Sequence, residues 1–121
     1  MSAAARSMVW FGVYLLGVGA SLVLVPGTIL PLVGLPPAAD GWARVAGVLV
    51  LNLGYANVTL GRAEVVPWFR TSVWMRGSVA IFFAAFAALG LAPPMLAAFG
   101  AIDLAGAAWT RRALGGRTGS D

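Results

Sequence analysis

The stretch Pro93–Thr110, PPMLAAFGAIDLAGAAWT, holds one charge, Asp103, and no other charged residue lies between Arg76 and Arg111. Its reading decides the fold. If it crosses a bilayer as a helix, a carboxylate sits near the middle of the hydrocarbon at a cost of about 2.5–3.5 kcal/mol on insertion scales. Such a residue is paired, protonated or functional. The rest of the chain agrees with a membrane setting. Of its 121 residues 60% are hydrophobic and 10% charged, and the mean hydropathy is +0.90, too apolar for the mixed surface of a water-soluble domain.

Outward from that stretch, breakers divide the chain into four apolar blocks, each close to the ~20 residues that cross a ~30 Å hydrocarbon core as a helix. The spans are residues 8–25, 42–61, 67–91 and 94–112. Pro26-Gly27 stops the first, Asp40 is a plausible N-cap for the second, Pro67 suits the first turn of the third, and Pro93-Pro94 forces a tight turn into the fourth. The expected fold is therefore all-α: an integral membrane four-helix bundle running up-down-up-down. One domain, residues 8–113, lies between a short N-terminus, 1–7, and a flexible tail, 114–121. A cleavable signal peptide is the competing reading of span one, with Val18-Gly19-Ala20 as its cleavage site. Against it, the apolar run continues through LVLV beyond that site. The PGTILPLVGLPP segment after span one alternates breakers with bulky aliphatics and reads as a short helical turn tucked against the mouth of the bundle.

Orientation follows from the arginines. All eight basic residues are Arg, which puts the formal charge at +4, but they flank apolar segments rather than cluster, so nucleic acid is not an expected partner. Arg6 precedes span one, Arg62 and Arg70 surround the second connection, and Arg111, Arg112 and Arg117 follow span four. By the positive-inside rule both termini are cytoplasmic. Trp10, Trp42, Trp68, Trp74 and Trp109 fall mostly near span ends, as an interfacial aromatic belt does. The expected location is the cytoplasmic (inner) membrane of a bacterium, with membrane lipids as immediate partners.

The polar residues inside the spans are the candidate site. Projection of span two at 100° per residue gathers Arg44, Asn52, Tyr55, Thr59 and Arg62 within about 80°, a polar stripe expected to face inward. Beside it Gly47, Gly54 and Gly61 repeat every seven residues and read as a helix-packing groove, as does Gly100 on span four. Arg76 lies deep in span three, and Asp103 is the obvious partner for it. The expectation is a buried Arg76–Asp103 ion pair, completed by hydrogen bonds from Asn52, Tyr55 or Tyr14. Asp40 and Arg44, in acid-then-base order four residues apart, are expected to pair at the outer interface. Three roles for Asp103 remain open: a latch that sets helix register, part of a ligand site, or a titrating group in transport.

The segments GLPP after span one, RVAGVLVLNLGY opening span two, FRTSVWMRG in span three and IDLAGAAWT closing span four together resemble small bacterial four-span proteins grouped as DoxX-like. That resemblance implies a compact helical bundle with membrane-buried charges, and it implies no reaction, cofactor or ligand. Four short helices also invite comparison with small multidrug transporters, which depend on a Glu in the first span; here that span has no acid.

Cysteine and histidine are both absent, which removes thiol chemistry, disulfides, and zinc or haem ligation by those residues. No pair of acids shares a site and no Ser or Thr has a recognisable base, so no catalytic, cofactor or metal residue is expected and the chain reads as non-enzymatic. The leading functional expectation is a structural or accessory subunit, in a larger membrane complex or homo-oligomer, or a lipid-binding module. A small oligomeric proton-coupled transporter or channel that uses Asp103 is the alternative.

Overall fold

The computed structural model describes residues 1–32, 34–35 and 40–115, with the side chain of Asp40 outside that description. Five helices make up almost all of it: α1 (Ala3–Leu24), α2 (Pro26–Leu32), α3 (Asp40–Arg62), α4 (Val66–Ala88) and α5 (Met95–Gly115). No strand occurs among the described residues.

Local chemistry sets the boundaries. Ser2 caps α1, its hydroxyl accepting from the Ala5 amide at 3.0 Å, and its own amide and hydroxyl reach Glu64 at 2.8 and 2.5 Å. The Ser2 cap thus ties the start of α1 to the turn between α3 and α4. Pro26 starts α2, the short turn expected of the PGTILPL segment, and Pro26 and Leu30 are buried beneath the bundle mouth. Pro67 stands in the first turn of α4, where a missing N–H costs nothing. Gly90 follows α4 with φ 73°, the left-handed conformation that a residue without Cβ adopts freely.

Two helix pairs pack extensively, α1 with α3 and α4 with α5, and α1 joins the pairs by lying against α5. The α1–α3 seam is built on glycine. A Cβ at Gly12 would come 2.9 Å from the Gly54 carbonyl, one at Gly19 2.9 Å from that of Gly47, and one at Gly61 3.2 Å from Met8 Cβ. Gly100 brings α5 as close to α4, where a Cβ would meet Ala80 Cα at 3.3 Å. Backbones this near gain dispersion contacts that longer side chains would prevent, which is how helices associate without a hydrophobic drive between them.

The fully buried core, Ala4, Ala5, Met8 and Phe69, sits at one end, where the start of α1, the α3–α4 turn and the end of α5 converge. The outer faces are apolar: Leu49, Ile81, Phe82 and Leu104 are each more than half exposed. A bundle in water would hide such side chains, whereas hydrocarbon surroundings suit them.

Among the described residues three helices, α1, α3 and α4, are long and apolar enough to cross a membrane. Of the four expected spans, α5 is not among these three. α5 matches the others in length, but Asp103, Arg111 and Arg112 fall within its 21 residues and lower its hydropathy. Pro36 and Pro37 of the GLPP run and residues 116–121 of the tail lie outside the described residues.

Candidate functional site

Arg76 is buried, 4% exposed, and its bonds hold three helices together. Nη2 donates to Thr110 Oγ1 on α5 at 2.8 Å and lies 3.5 Å from Met8 Sδ on α1, while Nε donates to the Ser72 carbonyl one turn back at 3.3 Å. The guanidinium carbon stands 4.6 Å from the centre of the Phe11 ring, a cation–π contact, and Nη1 has no hydrogen-bond partner. Gly106 makes room for it, since a Cβ there would lie 3.1 Å from Nη1. Thr110 in turn shares a hydrogen with Ser7 of α1 at 2.7 Å, and both residues are fully buried.

The expected Arg76–Asp103 ion pair is not formed among the described residues. The reason lies in side-chain direction. Every helical side chain leans toward the N-terminus of its own helix, and α4 and α5 are antiparallel, so Arg76 leans toward Thr110 while Asp103 leans the opposite way. Comparable depth of the two Cα atoms leaves the charges within electrostatic reach of each other but forms no salt bridge or hydrogen bond between them. Asp103 makes no hydrogen bond or ion pair among the described residues, and it opens onto a cavity.

That cavity, partly open to its surroundings, has a volume of about 780 Å³ among α1, α2, α3, α4 and α5. Its polar lining includes Tyr14, Asn57, Ser72, Arg76 and Asp103; toward α2 its wall is Ser21, Leu22, Ile29, Leu30, Leu35 and Leu96. Asn57, 2% exposed, accepts from the Trp68 indole at 2.9 Å through Oδ1, which leaves its NH2 without a partner among the described residues. The hydroxyls of Tyr14 and Ser72 also make no hydrogen bond among the described residues. α3 has no extensive packing with α4 or α5, so the cavity is walled on that side mainly by Val50, Leu53 and Asn57.

Asn52 and Tyr55 take no part in it, contrary to the inward stripe expected of them. Asn52 is exposed and donates only to the Val48 carbonyl of its own helix at 3.1 Å, and Tyr55 is 67% exposed. The glycine seam holds α3 against α1, and the stripe lies roughly 100° around the helix from that seam. It therefore faces out. Tyr14 does line the cavity, with its ring 5.6 Å from that of Phe11. Arg44 donates to the Val23 carbonyl, one of the last of α1, and so caps that helix; the Asp40 side chain of the expected outer pair lies outside the described residues. Sequence reasoning overlooked Asn57, although Val50, Leu53 and Asn57 share an i, i+3, i+7 face of α3 that signals a common environment.

No metal-binding group of three or more His, Cys, Asp or Glu occurs among the described residues. Helices apolar enough to cross a membrane, around a partly polar cavity, define a helical bundle with a ligand-sized interior. In comparisons with protein families, curated proteins and solved structures, nothing matches the chain.

Proposed function

We propose that this chain is a four-span, non-enzymatic protein of the bacterial cytoplasmic membrane whose bundle binds a lipid-like molecule, in keeping with its DoxX-like resemblance. The cavity carries the reading. Its volume of about 780 Å³ lies within the ~300–1,000 Å³ of small-molecule sites, and its apolar wall with a few polar groups suits an amphiphile. α5 completes the four spans because its 21 residues rise about 32 Å as a helix, with its two arginines at the cytoplasmic end. Arg6, Arg62, Arg70, Arg111 and Arg112 share that end, in keeping with cytoplasmic termini. Among the non-enzymatic roles, a binding module accounts for the cavity and a purely structural subunit does not.

Native mass spectrometry of a gentle detergent extract tests this reading. The expected result is a retained lipid-sized mass on each chain, lost when Val79→Trp or Val18→Trp fills the cavity. A protein that carries no such mass, and takes none up from added lipid, overturns it.

One observation favours a second reading, a small proton-coupled transporter or channel: the carboxylate of Asp103 lines the cavity within electrostatic reach of Arg76 and makes no hydrogen bond or salt bridge among the described residues. It requires pH-dependent substrate movement in liposomes that Asp103→Asn abolishes while the fold is kept.

A further inference from the structure

The charged residues of the cavity lie near the middle of its helices. Arg76 lies ten residues into α4, about 15 Å along the helix, and Asp103 lies eight residues into α5, about 12 Å along it, so both sit near mid-helix. An ordinary membrane lipid keeps its charged head at the interface, far from this point. Whatever polar group reaches these residues must leave water, and a charged one does so only when opposite charge receives it.

The polar lining offers no net charge. Arg76 contributes one positive group and Asp103 one negative, and the guanidinium is engaged by Thr110, the Ser72 carbonyl and the Phe11 ring, with Nη1 left without a hydrogen-bond partner. A phosphate or carboxylate head would meet the Asp103 carboxylate, and an ammonium head would come close to Arg76. What remains is hydrogen-bonding capacity of both kinds. Asp103 accepts, the Asn57 NH2 donates, and the Tyr14 and Ser72 hydroxyls do either.

We infer that the bound molecule is an uncharged amphiphile with a hydroxyl at its polar end and one long apolar chain. The inference rests on the lipid-binding reading above. The hydroxyl donates to Asp103 and accepts from the Asn57 amide or the Ser72 hydroxyl, and the chain runs along Leu22, Leu30 and Leu96 toward α2. Between α3 and α4, where extensive packing is missing, such a molecule enters sideways from the bilayer without crossing water.

Binding of four probes that share a sixteen-carbon chain tests this on the full-length protein in detergent: radiolabelled 1-hexadecanol, with hexadecyl phosphate, hexadecyltrimethylammonium and hexadecane as competitors. Hexadecanol is expected to bind at one per chain, at least about tenfold more tightly than each of the others, and Asp103→Asn or Ser72→Ala to weaken it without lowering the melting temperature. Tyr14→Phe and Asn57→Asp serve if either variant fails to fold. Equal binding of all four probes, or preference for a charged one, overturns the hydroxyl assignment while the lipid-binding reading stands. If no probe binds, hexadecane included, the lipid-binding reading falls as well.

Discussion

Arg76 and Thr110 are joined by a 2.8 Å hydrogen bond from Nη2 to Oγ1 that crosses from α4 to α5, and the Thr110 hydroxyl passes the connection on to Ser7 of α1. The buried arginine is thereby held by a hydroxyl chain rather than by a salt bridge, and its Nη1 keeps no hydrogen-bond partner. A neutral partner suffices because the guanidinium also lies over Phe11 and keeps its Ser72 bond, so its charge is spread over several weak acceptors.

Thr110→Val removes that acceptor while keeping the shape of the side chain, and it leaves Nη2 with only the long contact to Met8 Sδ, while the Ser7 hydroxyl keeps its bond to the Ala4 carbonyl. Thermal unfolding in detergent should show a loss of about 1–3 kcal/mol, with Thr110→Ser close to wild type. Asp103→Asn should leave the melting temperature nearly unchanged, because no ion pair is broken. A large loss from Asp103→Asn alone would contradict the arrangement.

The glycine seam makes a contrast that one substitution type can test. At Gly54 an added Cβ lies 2.9 Å from the Gly12 carbonyl and 2.9 Å from the Leu16 amide nitrogen, so Gly54→Ala must push α1 and α3 apart, at about 1–3 kcal/mol. At Gly17 nothing lies within 4 Å, and Gly17→Ala is expected to be neutral or slightly stabilising through its better helix propensity. The two melting curves separate the predictions.

Asn52 and Asn57 lie five residues apart on α3 with opposite fates. Asn57→Leu strands the Trp68 indole N–H and should destabilise the fold by about 1–3 kcal/mol, while shifting tryptophan fluorescence. Asn52→Leu removes only a bond to its own helix and is expected to leave the melting temperature of the single chain unchanged. Reversal of that order would place the wrong face of α3 inward.

At the turn between α3 and α4, Glu64 holds φ 56° and accepts from Ser2. Glu64→Val should be costly, since a β-branched residue resists that backbone conformation and the acceptor is lost, whereas Glu64→Asn keeps tolerance of the left-handed region. Proteolysis near the N-terminus reports the difference, with faster cleavage expected for the Val variant as Ser2 is released.

Much of the architecture was legible in the chain. Pro26-Gly27, Pro67 and Pro93-Pro94 mark helix ends through backbone sterics that act locally, and apolar blocks of about 20 residues state their length directly. The seven-residue spacing of Gly47, Gly54 and Gly61 likewise reads as a close seam, because small size at helical period has few other uses. The candidate site was harder. Tyr14, Arg76 and Asp103 line one cavity, but Asn52 and Tyr55 were assigned to its interior on polarity alone, and polarity says nothing about which side of a helix meets its neighbours.

Helix limits, apolar length, the arginine asymmetry and the glycine seam depend on residues close in sequence, so the chain states them without knowledge of its own folding. The hydrogen-bond partner of Arg76, the lack of a salt bridge at Asp103 and the entry of Asn57 into the cavity depend on two further quantities. These are the rotation of α3 about its axis and the antiparallel lean of side chains on α4 and α5. Both arise only when helices pack, because period gives angles within one helix and contact between helices alone sets their zero.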